Sequence, residues 1–172
     1  MTEKSEQSFE TIVQKHQAGD LSGAMAGYRA LLEKHPEDPE ILRLLGVALL
    51  QSGAVDRAIE HFEKAISADP QNAAARCNLG SALRSVERVE EARGAFEAAL
   101  ALNPNLAEAH NNLGALAAQT GDRGEAETHY RKAAELAPES APAHANLAAL
   151  LLQNGDAASA VTHAELAVRA DP

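Results

Sequence analysis

Apolar residues recur along this chain at helical spacing: Leu42, Leu45 and Leu49, then Ala58, Phe62 and Ala65, and further on Leu79 and Leu83, then Ala92, Phe96 and Ala99. Steps of three and four put each group on one stripe of a helix, so the chain reads as short amphipathic helices taken in pairs. Each pair is broken at Gly19-Asp20, Gly53-Ala54, Gly121-Asp122 or Gly155-Asp156. Glycine enters the left-handed conformation that ends one helix, and aspartate accepts the free amides that begin the next. Asp122 and Glu125 have the spacing of a capping box. Further helix starts are predicted behind Asp38, with Pro39 at the first helical position, and behind Asn72 and Ser140.

The pattern has a fixed beat. Pro36, Pro70, Pro104, Pro138 and Pro172 stand 34 residues apart, and Ala24, Ala58, Ala92, Ala126 and Ala160 keep the same interval. Such a period means one supersecondary unit used several times, each burying its apolar face against its neighbours. The units are 5–38, 39–72, 73–106, 107–140 and 141–172, behind a tail of residues 1–4. An all-α chain with one continuous core and no second domain is expected.

These residues resemble the tetratricopeptide repeat. Leu45-Gly46, Leu49, Gly53, Ala58, Phe62, Ala65 and Pro70 of the second unit fall on the positions that define that family, and Leu79-Gly80 and Leu113-Gly114 follow in the third and fourth. The resemblance covers all but residues 1–4 and implies a right-handed α-solenoid of five helix-turn-helix repeats. Two departures stand out. The large aromatic at the fourth place of each unit is replaced by Ser8, Leu42, Arg76, His110 or His144, and Glu87 stands where the third turn should have glycine. A side chain in a left-handed turn costs about 1 kcal/mol, so a differently shaped turn is expected there.

The resemblance also implies a protein- or peptide-binding module whose first helices line a concave groove. Asn78, Asn112 and Asn146 form a row at the repeat interval, with Gln17, Gln51, Gln119 and Gln153 in a second row seven residues along. Seven residues are nearly two turns, so both rows share a helix face. Ser81, Ala115 and Ala149 between them are small. An asparagine side chain both donates and accepts, and so can hold an extended peptide by its main chain. The row is similar to the asparagine ladder in the repeat domain of O-linked N-acetylglucosamine transferases. Arg43, Arg84 and Asn111 add to the expected polar lining. Glu10 and Leu44 occupy the equivalent places in the first two units, and Leu44, Val47 and Leu50 form a candidate apolar pocket. Helix packing or solvation is the competing role for the amides, and a core role for the three apolar residues. A carboxylate clamp of the co-chaperone type would fall on Arg43, Val47, Asn78, Glu108 and Asn112. Glu108 would repel the terminal carboxylate it should attract, which argues against that partner class.

Composition narrows the picture. A net charge of −10 argues against nucleic acid, which needs clustered Lys and Arg. The dispersed carboxylates read as a solubility device. The longest apolar run, 147–152, is far short of the roughly 20 residues that span a bilayer, so no membrane partner is expected. The start lacks the apolar stretch of a secretory signal, and Cys77 stands alone, which fits a reducing cytoplasm.

No catalytic motif is present, and no cofactor is expected. His110 and His144 share one repeat position, while His61, His129 and His163 share another. Stacking is expected to bring His129 beside His163, and with no third or fourth ligand in view no metal is expected. At the ends, Ser8, Thr11 and Lys15 give the first helix a polar face, whereas Ala160, Val161, Ala164, Leu166, Ala167 and Val168 leave the last one bare. Either the chain belongs to a longer protein or residues 158–170 mediate weak homodimerisation. The expected function is a non-enzymatic scaffold that holds an extended partner segment; the alternatives are the substrate-recruiting N-terminal part of a larger enzyme such as a glycosyltransferase, and a self-assembling scaffold.

Overall fold

The computed structural model describes residues 8–171. The tail 1–4, the start of the first repeat and Pro172 lie outside them. Among the described residues there are ten α-helices, two per repeat, and no strand: α1 (Phe9–Gln17), α2 (Leu21–Leu32), α3 (Pro39–Gln51), α4 (Val55–Ala68), α5 (Ala73–Ser85), α6 (Val89–Leu102), α7 (Ala107–Thr120), α8 (Arg123–Leu136), α9 (Ala141–Gln153) and α10 (Ala157–Ala170).

The helix ends follow local chemistry. Asp38 Oδ1 accepts from the amides of Glu40 and Ile41 at 3.0 Å, with Pro39 in the first turn, where its missing N–H costs nothing. Asn72 Oδ1 accepts from Ala75 N at 2.8 Å, and Ser140 caps α9 in the same way. The turn glycines 19, 53, 121 and 155 have φ between 81° and 87°. Glu87 is forced into the same region, at φ 60°. The capping box at Asp122 forms by half. Asp122 Oδ1 accepts from Glu125 N at 2.9 Å, but the Glu125 carboxylate is drawn to Arg93 at 2.6 Å, a stronger charge-assisted bond than the one it would make back to Asp122.

The helices group into two compact units, one up to Arg88 and the other from Val89 onward. The division falls inside the third repeat, at the turn that carries Glu87, where the repeat register alone marks no boundary.

In the first unit α2 packs on α1 and α3, α4 packs on α3 and α5, and α3 lies beside α5. Ile12, Tyr28, Leu45, Leu49 and Phe62 are its largest fully buried side chains. Each buried aliphatic side chain of this size contributes about 1.5–3 kcal/mol. Glycine at 46 lets α3 and α4 approach, since a Cβ there would lie 2.5 Å from Phe62 Cε1.

In the second unit α7 packs on α6, α8 and α9, and α9 on α8 and α10. Tyr130, Leu147, Leu150 and Leu151 share one apolar cluster with Ala117, Ala126, Ala133 and Ala160. Gly114 admits Tyr130 as Gly46 admits Phe62, with a Cβ-to-ring distance of 2.7 Å. Leu79 and Leu113 hold equivalent repeat positions but unequal environments: Leu113 is buried and Leu79 half-buried.

Candidate functional site

The amide rows sit on the first helices of the repeats, and each unit treats them differently. In the second unit α7 and α9 lie side by side. The register that turns Leu113 and Leu147 inward leaves Asn111 and Asn146 facing each other, and Asn146 Nδ2 donates to Asn111 Oδ1 at 3.0 Å. Both are half-buried. Asn112 is 7% exposed, so it belongs to the packed side of α7 and not to the solvent-facing row expected from the sequence. Gln119 and Gln153, at the far ends of the same helices, are exposed.

In the first unit Gln51 is tied down. Its Oε1 lies 3.0 Å from His16 Nε2, and His16 Nδ1 lies 3.1 Å from the Tyr28 hydroxyl. Because an amide oxygen only accepts, His16 donates from Nε2 and accepts the Tyr28 proton at Nδ1. Burial raises the Tyr28 pKa above its ordinary value, with Arg43 acting the other way. Arg43 grips Glu40 with two bonds, at 2.9 and 2.6 Å. Leu44, Val47 and Leu50 are half-buried on α3, a partly covered apolar set. Asn78 is half-buried and its Nδ2 is a buried donor without a hydrogen-bond partner; Arg84 is exposed.

The histidines do not pair as expected. His129 and His163 are not brought together; each pairs across its own hairpin. His110 and His129 approach with their Nδ1 atoms 3.0 Å apart, and His144 and His163 repeat this at 3.0 Å. Ring centroids are 5.3 and 5.2 Å apart. The first-helix ring of each pair also reaches back to the proline carbonyl that precedes its helix, His110 Nε2 to Pro104 O at 3.0 Å and His144 Nε2 to Pro138 O at 2.9 Å. Burial, and then the facing imidazole, push the pKa of His129 and of His163 below the ordinary histidine value. The signal was present in the sequence: the interval between the partners is 19 residues in both repeats. The fourth-place substitution in the repeat pattern is half of this pair.

On α10 the exposed apolar strip is narrower than the expected one. Ala160 is 6% exposed, because it packs into the cluster of the second unit, and Leu166 and Ala167 are half-buried. The remaining members Val161, Ala164 and Val168 line a shallow groove together with Glu165 and Arg169. Val161 and Val168 are 58% and 67% exposed. Among the described residues no helix is long and apolar enough to cross a membrane, and no three His, Cys, Asp or Glu side chains converge on one point.

Family models described as tetratricopeptide repeat match residues 17–73, 49–116, 107–140 and 129–162. No curated protein sequence matches the chain. Among solved structures, MamA is 27% identical over 96% of this chain and 95% of its own, with a TM-score of 0.72. A thermophilic TPR protein of Thermus thermophilus is 25% identical over 95% and 89%, with a TM-score of 0.84. PilF of Pseudomonas aeruginosa, 23% identical over 95% and 74% with a TM-score of 0.83, shares the fold. Repeat register, helix pairs, turn glycines and these matches agree, and the chain belongs to the tetratricopeptide repeat family.

Proposed function

We propose that this protein is an interaction scaffold whose first helices hold an extended segment of a partner by its main chain. The observation that carries the reading is the amide pair of α7 and α9. The bond between Asn146 Nδ2 and Asn111 Oδ1 fixes both side chains while leaving Asn146 Oδ1 and Asn111 Nδ2, an acceptor beside a donor. That is the complement of one peptide unit. Gln119 and Gln153 extend the same face with exposed amides. In the first unit the half-buried Leu44, Val47 and Leu50 offer a surface to an apolar side chain of a partner, beside the bound pair Arg43 and Glu40. Such a scaffold works by binding and carries out no chemistry of its own.

The test is a selection of unstructured peptides on the intact chain, followed by affinity measurement on Asn111→Ala with Asn146→Ala. Two lost net hydrogen bonds, each about 1 kcal/mol, weaken binding roughly thirtyfold without loss of helicity. Peptides that bind the double variant as well as the parent would remove the amides from the site, and competition by Leu44→Ala would then place it on α3.

A second reading rests on the α10 groove. Glu165 and Arg169 flank exposed Val161 and Val168, so two copies meeting antiparallel would oppose each Glu165 to an Arg169 while covering the valines. We infer weak homodimerisation through this face. Sedimentation at rising concentration shows it as increasing mass, abolished by Val161→Glu with Val168→Glu; a constant monomer mass refutes it.

A further inference from the structure

Neighbouring first helices stand in one lateral register. His16 and Gln51 meet across α1 and α3 at 3.0 Å, and Asn111 and Asn146 meet across α7 and α9 at 3.0 Å, the partners 35 residues apart in both cases. In the first unit α5 lies beside α3. Residues about one repeat apart on α1, α3 and α5 are therefore level with one another. Adding three residues, nearly a helical turn, to the 34 of each repeat traces a diagonal across these helices. Glu10, Val47 and Arg84 lie on it, each 37 residues from the last.

The three differ in kind. Glu10 is exposed in the first turn of α1, and Arg84 is exposed in the last turn of α5. Val47 is half-buried on α3 between half-buried Leu44 and Leu50, which stand three residues to either side of it. Among the described residues neither the Glu10 carboxylate nor the Arg84 guanidinium has an ion-pair or hydrogen-bond partner. Other charges of these helices are spent: Arg43 holds Glu40 at 2.9 and 2.6 Å, and Arg76 donates to Pro70 O at 2.9 Å. The face of the first unit thus runs from a free acid on α1, over an apolar stripe on α3, to a free base on α5.

We propose that the first unit recognises an extended partner segment that carries a base, an apolar side chain and an acid three residues apart. This rests on the reading above that first helices hold an extended segment, and adds which segment. Packed helices lie about 8–10 Å apart and three residues advance about 4.5 Å along a helix, so each step of the diagonal is roughly 10 Å. A segment in the polyproline conformation rises about 3.1 Å per residue with three residues per turn, so every third side chain stands on one side, about 9.3 Å from the last. The base then meets Glu10, the apolar side chain packs on Val47 between Leu44 and Leu50, and the acid meets Arg84. The two charged ends are roughly 20 Å apart, beyond the Debye length of about 8 Å at physiological salt, so each reads its own partner charge. A uniformly basic or uniformly acidic segment would set one like charge against the groove and lose affinity.

Four short peptides with blocked ends test the proposal on the full chain by fluorescence anisotropy. Their first, fourth and seventh places carry Lys, Leu and Glu; Lys, Leu and Lys; Glu, Leu and Glu; or Lys, Ser and Glu. The first binds tightest, each uniform-charge peptide is weaker by about fivefold, and this gap closes in 1 M salt. The serine peptide is also weaker, because nothing covers the stripe of Val47. Arg84→Glu shifts the preference to the peptide with two lysines, and Glu10→Arg shifts it to the one with two glutamates. Arg57→Glu, the same change of charge on exposed α4, shifts neither. Equal affinity of the parent for the mixed and the two uniform-charge peptides overturns the proposal, needs no variant to fold, and leaves the holding of an extended segment intact. An equal shift of preference by Arg57→Glu also overturns it, since net charge alone would then be read. Binding of none of the four overturns it together with the reading on which it rests.

Discussion

Gly46→Ala tests the helix contact on which the second repeat depends, because two effects of opposite sign meet at one atom. In a helix interior alanine is favoured over glycine by about 0.8–1.0 kcal/mol. Against that, the new methyl would sit 2.5 Å from Phe62 Cε1, 2.8 Å from Cδ1 and 3.0 Å from Cζ, where carbon atoms rest about 3.5–4.0 Å apart. Phe62 is fully buried, so its ring has no open side to turn towards, and α3 and α4 must separate or the ring must leave its rotamer. Overpacking of this kind costs about 1–3 kcal/mol, and a misfit near 1 Å belongs in the upper half of that range. The net expectation is a loss of about 1–2 kcal/mol. Gly94, on the exposed side of α6 with nothing within 4 Å of its would-be Cβ, is the control: Gly94→Ala keeps the propensity gain and stabilises by about 1 kcal/mol. Urea unfolding followed by circular dichroism reads both. If Gly46→Ala proved as stable as Gly94→Ala, the helices would not approach as closely as the ring contact requires, and the reasoning would fail.

Leu113→Ala should cost about 2–5 kcal/mol, because the side chain is 2% exposed, and clearly more than Leu79→Ala, whose position is half-buried; equal losses on denaturation would contradict the unequal packing. Glu87→Gly relieves a left-handed side chain at φ 60° and should stabilise the fold by about 0.5–1 kcal/mol in the same denaturation assay, a gain absent if the turn carries no strain. The folded pKa of His129 and of His163 is lowered, so the unfolded chain binds those protons more readily. Their contribution is therefore complete above about pH 6.5 and is lost as pH falls through that value towards the folded pKa. The protein should lose stability as pH falls below about 6.5, and His129→Gln with His163→Gln should flatten that slope; an unchanged slope would mean the pairs do not titrate on unfolding.

Everything decided within a few residues along the chain was legible in the sequence. Asp38, Asn72 and Ser140 cap the helices that their spacing announces, the turn glycines take positive φ, and the interval between prolines marks every helix pair. A cap or a turn answers to neighbours at most four positions away, so local order is enough. What depended on tertiary structure is which equivalent positions are alike. Asn112 and Asn146 share a place in the repeat, yet one is covered and the other spends its amide on Asn111. Glu125 has the capping-box spacing but turns to Arg93, which lies 32 residues away. His129 meets His110 across a hairpin and not His163 along the stack. The two compact units divide at Glu87 although the repeat register runs through it unbroken. A period in sequence makes backbones equivalent; side chains are placed by charge, hydrogen bonding and volume from the next helix, and those neighbours differ from one repeat to another.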